Sequence, residues 1–185
     1  MSKPSKTTKK FTGPILGQPF YEMAVAYRTS ADLLLKALEE LPTRSHEMQF
    51  PNSFLYSHAF ELFFKAFLRM RGVSARALSR KPYGHDLRYL YADCKRLGLV
   101  LDIQDESYLG GLIIHLEAGH NDYEYRYFES ANLSTAALPW MRRELNSLAD
   151  AVAAEVAKEH AAFLSKCPRN YLATVGITLI VHGRE

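Results

Sequence analysis

A ridge of polar side chains crosses an otherwise apolar segment, and it contains the first residues of this sequence that can do chemistry. The segment NSFLYSHAFELFFKAFLRMRG begins at Asn52, and steps of three and four residues put the ridge on one helix face. Imidazole, carboxylate and cationic groups together can move protons and bind anions. A helix this apolar is mostly buried, so its polar groups need partners. The ridge consists of His58, Glu61, Lys65 and Arg69.

A second polar segment, near residue 126, alternates aromatic rings with charges. Arg126 lies between Tyr125 and Tyr127. Rings beside an arginine can stack on a base while the arginine binds phosphate, which is the chemistry that single-stranded RNA or a nucleotide requires. A structural alternative stays open, in which the tyrosines anchor a connection and Arg126 pairs with Glu61 or Glu124.

The two polar segments lead to one geometric hypothesis. If the ridge is buried, its groups must meet polar side chains from other parts of the chain. In the alternative, Glu61 and Lys65 form an ordinary exposed pair that contributes only about 0.2 to 0.5 kcal/mol. We predict that one polar cleft between helices is lined by His58, Glu61, Lys65, His85 and Arg126.

The elements that position these residues are predicted to be helices. Five rings at offsets of 0, 4, 7, 8 and 11 form a core stripe on the central helix, which Gly72 ends. An amphipathic helix precedes it, from near Pro19 to Leu41. Further helices are expected from Asp86 to Gly98 and from Ile103 to Ala118. The stripe consists of Tyr56, Phe60, Phe63, Phe64 and Phe67.

The last helix is predicted to carry a heptad-like seam along its length. Ser134 or Thr135 can cap its start, and apolar residues then alternate in steps of three and four. After Pro168 the run YLATVGITLIV is β-branched and apolar, which favours a strand. The seam consists of Leu138, Met141, Leu145, Leu148, Val152 and Val156.

The ordered set of motifs in the central segment resembles the HEPN domain family. The resemblance covers roughly residues 50–128, and the first of its motifs is AFELFFKA, which starts at Ala59. A helix that ends in glycine follows, and then Gly84-His85-Asp86-Leu87 with Leu90, and finally the Arg126-Tyr127 pair. The resemblance implies a small helical bundle, commonly a homodimer, that binds nucleotides or RNA.

The HEPN resemblance also implies a setting and an activity. The family includes partners of nucleotidyltransferases and metal-independent ribonucleases, so a toxin–antitoxin or defence system and an antitoxin partner are expected. Arg80 and His85 match the Arg-x4-6-His spacing of its ribonucleases. In such a site the imidazole acts on the 2′-hydroxyl or the leaving oxygen, and the guanidinium holds the phosphate.

Non-catalytic interpretations of the same residues stay open. His85 and Asp86 begin a helix, where an aspartate caps free N–H groups. The domain is then a protein-interaction or dimerisation module. A carboxylate-bridged metal site would need Glu-x-x-His on two helices, and the chain does not repeat that motif. Its candidate ligands would be His58, Glu61, His115, Glu117 and His120, and we expect no metal and no cofactor.

The predicted domain organisation is one helical domain between two tails. Residues 1–14 form a disordered tail with four lysines in its first ten positions, which accounts for the net charge of +3. Residues 15–166 form an all-α, HEPN-like, up-and-down bundle of about five helices. Residues 167–185 form an extended or strand-like tail.

The composition places the chain among ordinary globular proteins. Hydrophobic residues make up 48% and charged residues 23% of the sequence. Cys94 and Cys167 are too few and too far apart for a disulfide framework or a zinc site. There is no apolar run of about 20 residues to span a membrane and no signal peptide. These features predict a cytoplasmic protein with no membrane contact.

Overall fold

The protein consists of helices throughout the part of the chain that the structure describes. The structure is a computed structural model that covers residues 17–40, 48–121 and 136–166, with the backbone alone at residues 103, 117–121 and 166. In chain order, the helices are α1 (Gln18–Glu40), α2 (Gln49–Met70), α3 (Ala75–Leu78), α4 (Leu87–Arg96), α5 (Ile103–Asn121) and α6 (Leu138–Lys166).

The prediction of an all-α fold with about five helices is confirmed. Five of the described helices have ten residues or more, α3 is a single turn, and the described ranges contain no strand. None of these helices combines the length and the apolar character that a membrane span requires. The predicted basic and strand-like tails and the cap at Ser134 or Thr135 lie outside the described residues.

Helix α2 lies at the centre of the bundle and packs against α1, α4, α5 and α6. All five rings of its predicted core stripe are fully buried. Burial extends around the helix, since Ser53, Ser57 and Ala59 on other faces are also inaccessible to solvent. A helix that is covered on every side must bury any polar group that it carries.

Helix α1 runs antiparallel to α2. Tyr21, near the start of α1, packs edge-on against Phe63 at a ring-centroid distance of 5.8 Å. Further along α1, Asp32 accepts a 2.8 Å hydrogen bond from the hydroxyl of Tyr56. Desolvation and this bond raise the pKa of Tyr56 well above its ordinary range. The amphipathic spacing of α1 also favours burial of Met23, yet this residue is 50% exposed.

The connection from α2 to α4 is more ordered than a polar loop. Gly72 adopts φ +90°, the left-handed conformation that the sequence predicts at the end of α2. Helix α3 follows, and the Ser74 hydroxyl caps it by accepting a 3.1 Å hydrogen bond from the backbone N–H of Ala77. Asp86 caps α4 in the same way, accepting a 2.8 Å bond from the N–H of Tyr89.

Helices α4, α5 and α6 complete the bundle in antiparallel order. The Tyr91 hydroxyl on α4 donates to the carbonyl of Glu106 on α5 at 3.2 Å. Ser147 on α6 donates to Asp105 on α5 at 2.6 Å. The predicted seam of α6 is buried from Leu138 to Val152, with Val156 partly buried. These contacts fix the position of α4, and His85 of the candidate site lies just before its N-cap, Asp86.

Candidate functional site

The candidate site is built around Glu61, a carboxylate on α2 that is only 1% exposed. The Lys65 ammonium, one turn further along, lies 2.5 Å from Glu61 Oε1. The Nδ1 atom of His85 lies 3.1 Å from the other oxygen, Oε2. The Nδ1 atom of His58 lies 3.5 Å from Oε2. The structure thus brings together four of the five residues of the predicted cleft. We call these four residues, His58, Glu61, Lys65 and His85, the Glu61 cluster.

The local fold explains how His85 reaches α2. Two backbone bonds close the turn before α4: Gly84 N–H donates to the carbonyl of Arg80 at 2.9 Å, and Asp86 N–H donates to that of Tyr83 at 2.8 Å. Gly84 has φ +43°, a backbone conformation that residues other than glycine rarely adopt. Leu87, fully buried, anchors the other side of the histidine. The turn therefore presents His85 to the Glu61 carboxylate.

The charges in this cluster compensate one another. Lys65 is only 7% exposed, so neither it nor Glu61 is solvated by bulk water. Transfer of a single charge from water into such a place is costly, and an opposite charge at hydrogen-bond distance offsets that cost. The Glu61 and Lys65 pair is therefore a buried ion pair, not the exposed helical pair that sequence spacing also allowed.

His58 and His85 differ in their access to solvent. His58 lies between two rings, with centroid distances of 4.5 Å to Tyr27 and 5.7 Å to Phe54. Its Nδ1 atom is buried and has no hydrogen-bond partner in the described part of the chain. The His85 side chain is 40% exposed. Of the described residues around Glu61, His85 is the one that a large ligand can reach.

An exposed basic segment surrounds His85, and we call residues 76–89 the basic turn. Arg76, Arg80 and Lys81 are exposed, and within the described residues their side chains form no ion pair and no hydrogen bond. Tyr89 is 42% exposed and packs edge-on against Tyr83, with ring centroids 5.2 Å apart. Uncompensated cations and an accessible ring therefore lie beside the histidine.

Tyr83 connects the basic turn to α4. Its hydroxyl donates a 2.6 Å hydrogen bond to Asp93, which also accepts a 2.6 Å bond from Arg96. Burial of the ring, and then the bond to Asp93, raise the pKa of Tyr83 to about 12. Tyr83 and Tyr89 were not predicted as site residues, although both rings flank the Gly-His-Asp-Leu motif.

The predicted catalytic pair lies at the two ends of one turn. The backbone bond between Gly84 and Arg80 closes that turn. Arg80 is exposed, and no hydrogen bond joins its guanidinium to the described side chains, including that of His85. The other predicted binding residues, Tyr125, Arg126 and Tyr127, lie outside the described residues.

No group of three or more histidine, cysteine or carboxylate side chains in the described ranges has an arrangement that holds a metal ion. His115, one of the alternative ligands, is exposed on α5. The side chains of Glu117 and His120 are not described.

A cavity of about 200 Å³ lies away from the Glu61 cluster, between the end of α4 and α6. Phe67, Leu99 and Ala151 contribute apolar surface, and Glu155 lies at its edge. The Glu155 carboxylate binds Lys158 and Arg71, each at 2.7 Å. These charges pair with one another, so the candidate site remains the Glu61 cluster and the basic turn.

No protein-family model, curated protein or solved structure matches this chain. The resemblance to HEPN domains is therefore carried by the motifs between residues 50 and 128 alone.

Proposed function

We propose that this protein binds RNA, as single strands, through the basic turn and His85. The observation that carries the proposal is that the basic turn holds both Arg80 and Lys81, uncompensated within the described residues, and the exposed ring of Tyr89. The cations supply the phosphate contacts that dominate the affinity of proteins for nucleic acids. The ring supplies a stacking surface for an unpaired base.

The HEPN resemblance supports the same proposal from the sequence. Nucleotides present the same phosphate and base chemistry as RNA, so nucleotide binding falls within it. A homodimer, a nucleotidyltransferase or antitoxin partner, and a role in a toxin–antitoxin or defence system belong to the proposal on the strength of the resemblance.

A second candidate function is metal-independent RNA cleavage, and the contact between His85 and Glu61 favours it. A histidine held by a carboxylate is a common form of general base. His85 would take the proton of a ribose 2′-hydroxyl, whose oxygen attacks phosphorus while the 5′-oxygen leaves and takes a proton from water. Arg80 would stabilise the charge that develops on the phosphate.

The test measures binding of a labelled single-stranded RNA in EDTA by fluorescence anisotropy. Arg80→Ala/Lys81→Ala and Tyr89→Ala are compared with Lys36→Ala/Arg142→Ala, which removes two exposed cations from α1 and α6. Loss of two phosphate contacts should weaken binding about tenfold or more and reduce the salt slope by roughly two. The control should bind within about twofold of wild type.

Two results would reject RNA binding at this site. One is the absence of salt-dependent binding by the wild type, and the other is equal weakening in the site and control variants. Either result would favour the alternative, a protein-interaction or dimerisation module. Gel analysis of the same RNA, with His85→Ala and Arg80→Ala at matched helicity, decides whether cleavage accompanies binding.

A further inference from the structure

The contact between Glu61 and His85 determines which nitrogen of the imidazole carries hydrogen. An ionised carboxylate has no hydrogen to donate, so a hydrogen bond between Glu61 Oε2 and His85 Nδ1 requires a proton on Nδ1. In the neutral ring the other nitrogen, Nε2, then carries a lone pair and acts as an acceptor.

We infer that Glu61 is a positioning residue that holds His85 in the Nδ1–H tautomer and makes Nε2 a hydrogen-bond acceptor. The burial of the two side chains indicates that Glu61 positions His85, and not the reverse. The Glu61 side chain is 2% exposed whereas that of His85 is 40% exposed, so the carboxylate holds the inner edge of the ring. Glu61 therefore acts through His85, because it is not itself accessible to a large ligand.

Lys65 places an ammonium group at hydrogen-bond distance from the carboxylate and fixes its orientation. Its ammonium group lies 2.5 Å from Oε1, while His85 meets Oε2, so the two basic groups use different oxygens. An ammonium group at this distance stabilises the ionised form of the carboxylate. His58 lies 3.5 Å from Oε2 without forming a hydrogen bond, so it does not replace His85 at that oxygen.

An acceptor at Nε2 specifies the chemistry of the ligand group that it meets. Phosphate diesters offer only acceptor oxygens, whereas a ribose 2′-hydroxyl offers a donor. The arrangement therefore assigns the phosphates to Arg80 and Lys81 and a 2′-hydroxyl to His85. This assignment rests on the proposed RNA binding, whereas the tautomer of His85 does not.

The tautomer is measured without RNA, on the full chain labelled with ¹⁵N at histidine. Two-bond ¹H–¹⁵N spectra at about pH 8.5 show which nitrogen carries the proton. His85→Asn assigns the His85 signals. The expected wild-type result is a proton on Nδ1 in most molecules.

The key variant is Glu61→Met/Lys65→Met, which removes the carboxylate and the ammonium together. Replacement of a buried ion pair by apolar side chains of similar size often leaves the fold intact, which circular dichroism checks. The variant should shift His85 towards the Nε2–H tautomer. Glu61→Gln is a second, more conservative variant. Glutamine keeps an acceptor and adds a donor, so this variant should give a mixture of His85 tautomers.

A control and two contrary outcomes make this test decisive. His58→Phe removes the neighbouring imidazole and should leave the tautomer of His85 unchanged. A wild-type His85 that carries its proton on Nε2 would overturn the inference. So would a wild-type pattern that persists in both Glu61 variants.

The ligand assignment is tested by comparing RNA with DNA of the same sequence. Loss of one hydrogen bond to the 2′-hydroxyl should weaken wild-type binding about fivefold, and the difference should disappear in His85→Phe. Equal affinity of the wild type for both would reject the 2′-hydroxyl as the partner of Nε2. Failure to bind either would reject the proposed function, while the spectra would still decide the role of Glu61.

Discussion

Tyr83 and Asp93 are joined by a 2.6 Å hydrogen bond across ten positions of the sequence. The bond links the basic turn to the second turn of α4, and Arg96 binds the same carboxylate. Asp93 is mostly buried, so its oxygens depend on these donors. The position of His85, two residues after Tyr83, therefore depends on a contact that carries no chemistry of its own.

Replacement of Tyr83 by phenylalanine should destabilise the protein and loosen the basic turn. The change removes a donor and leaves one oxygen of a buried carboxylate without it, which costs about 1 to 3 kcal/mol. Urea denaturation followed by circular dichroism measures the loss. Tyr108→Phe, on the exposed surface of α5, serves as the matched control and should change stability by less than about 0.5 kcal/mol. Equal effects in both variants would contradict this prediction.

The stability of the protein should fall steeply in alkaline solution. Burial raises the pKa of Tyr83 and of Tyr91 to about 12, from the ordinary value of 10.0. The unfolded chain releases these protons first, so this contribution is fully present below pH 10 and is lost as the pH rises through 12. Within that window, each such tyrosine lowers the free energy of unfolding by about 1.4 kcal/mol per pH unit.

The contribution of one tyrosine can be isolated by comparing slopes. The free energy of unfolding is measured in urea from about pH 9 to pH 11 for the wild type and Tyr91→Phe. Lysines titrate in the same range in both proteins, so the difference in slope reports Tyr91. We expect a shallower slope in the variant above about pH 10. Parallel curves would show that Tyr91 ionises equally in both states.

The Glu61 and Lys65 pair should show strong non-additivity. Lys65→Met leaves a buried carboxylate without its ammonium partner and should cost about 3 to 5 kcal/mol. The double change Glu61→Met/Lys65→Met should cost much less than the sum of the two single changes. A thermodynamic cycle built from urea unfolding of the four proteins measures the coupling. Additive costs would show that the two groups act independently.

Glu155 should stabilise the fold at neutral pH, and this contribution should be lost in acid. Hydrogen bonds from Lys158 and then Arg71 hold the pKa of this carboxyl below its ordinary value of 4.5. A depressed carboxyl pKa stabilises the fold above that ordinary value, and the contribution is lost as the pH falls through the folded pKa. Glu155→Gln should therefore flatten the loss of stability below about pH 4.5. Unfolding curves that keep the same pH dependence in both proteins would contradict this expectation.

The fold was predictable because its signals are local. The five-ring stripe of α2 repeats with helical period, Gly72 ends the helix with positive φ, and Asp86 caps α4 as its position predicts. Each of these features depends on residues within a few positions of one another. Helix α3 was missed because four residues give too short a pattern, although Ser74 carried its capping signal.

The candidate site was predictable in part of its membership, the residues that meet at Glu61, and not in its geometry. Charged residues on an apolar helix implied buried partners, and the structure places His85 at Glu61. The contact between Tyr83 and Asp93 depends on how one turn folds back over α4, which spacing alone does not specify. The exposure of Met23 likewise depends on where α1 meets α2, since helical period gives a face without giving its limits.

The central position of α2 has a consequence for how the protein opens. Because α1, α4, α5 and α6 all pack against it, no single neighbour can detach and leave its backbone fully exposed to water. Amide hydrogens in the middle of α2, around Phe60 and Phe64, should therefore exchange with deuterium only when the whole bundle unfolds. The slowest exchange rates in the molecule then report its global stability, and Glu61 lies within that most protected segment.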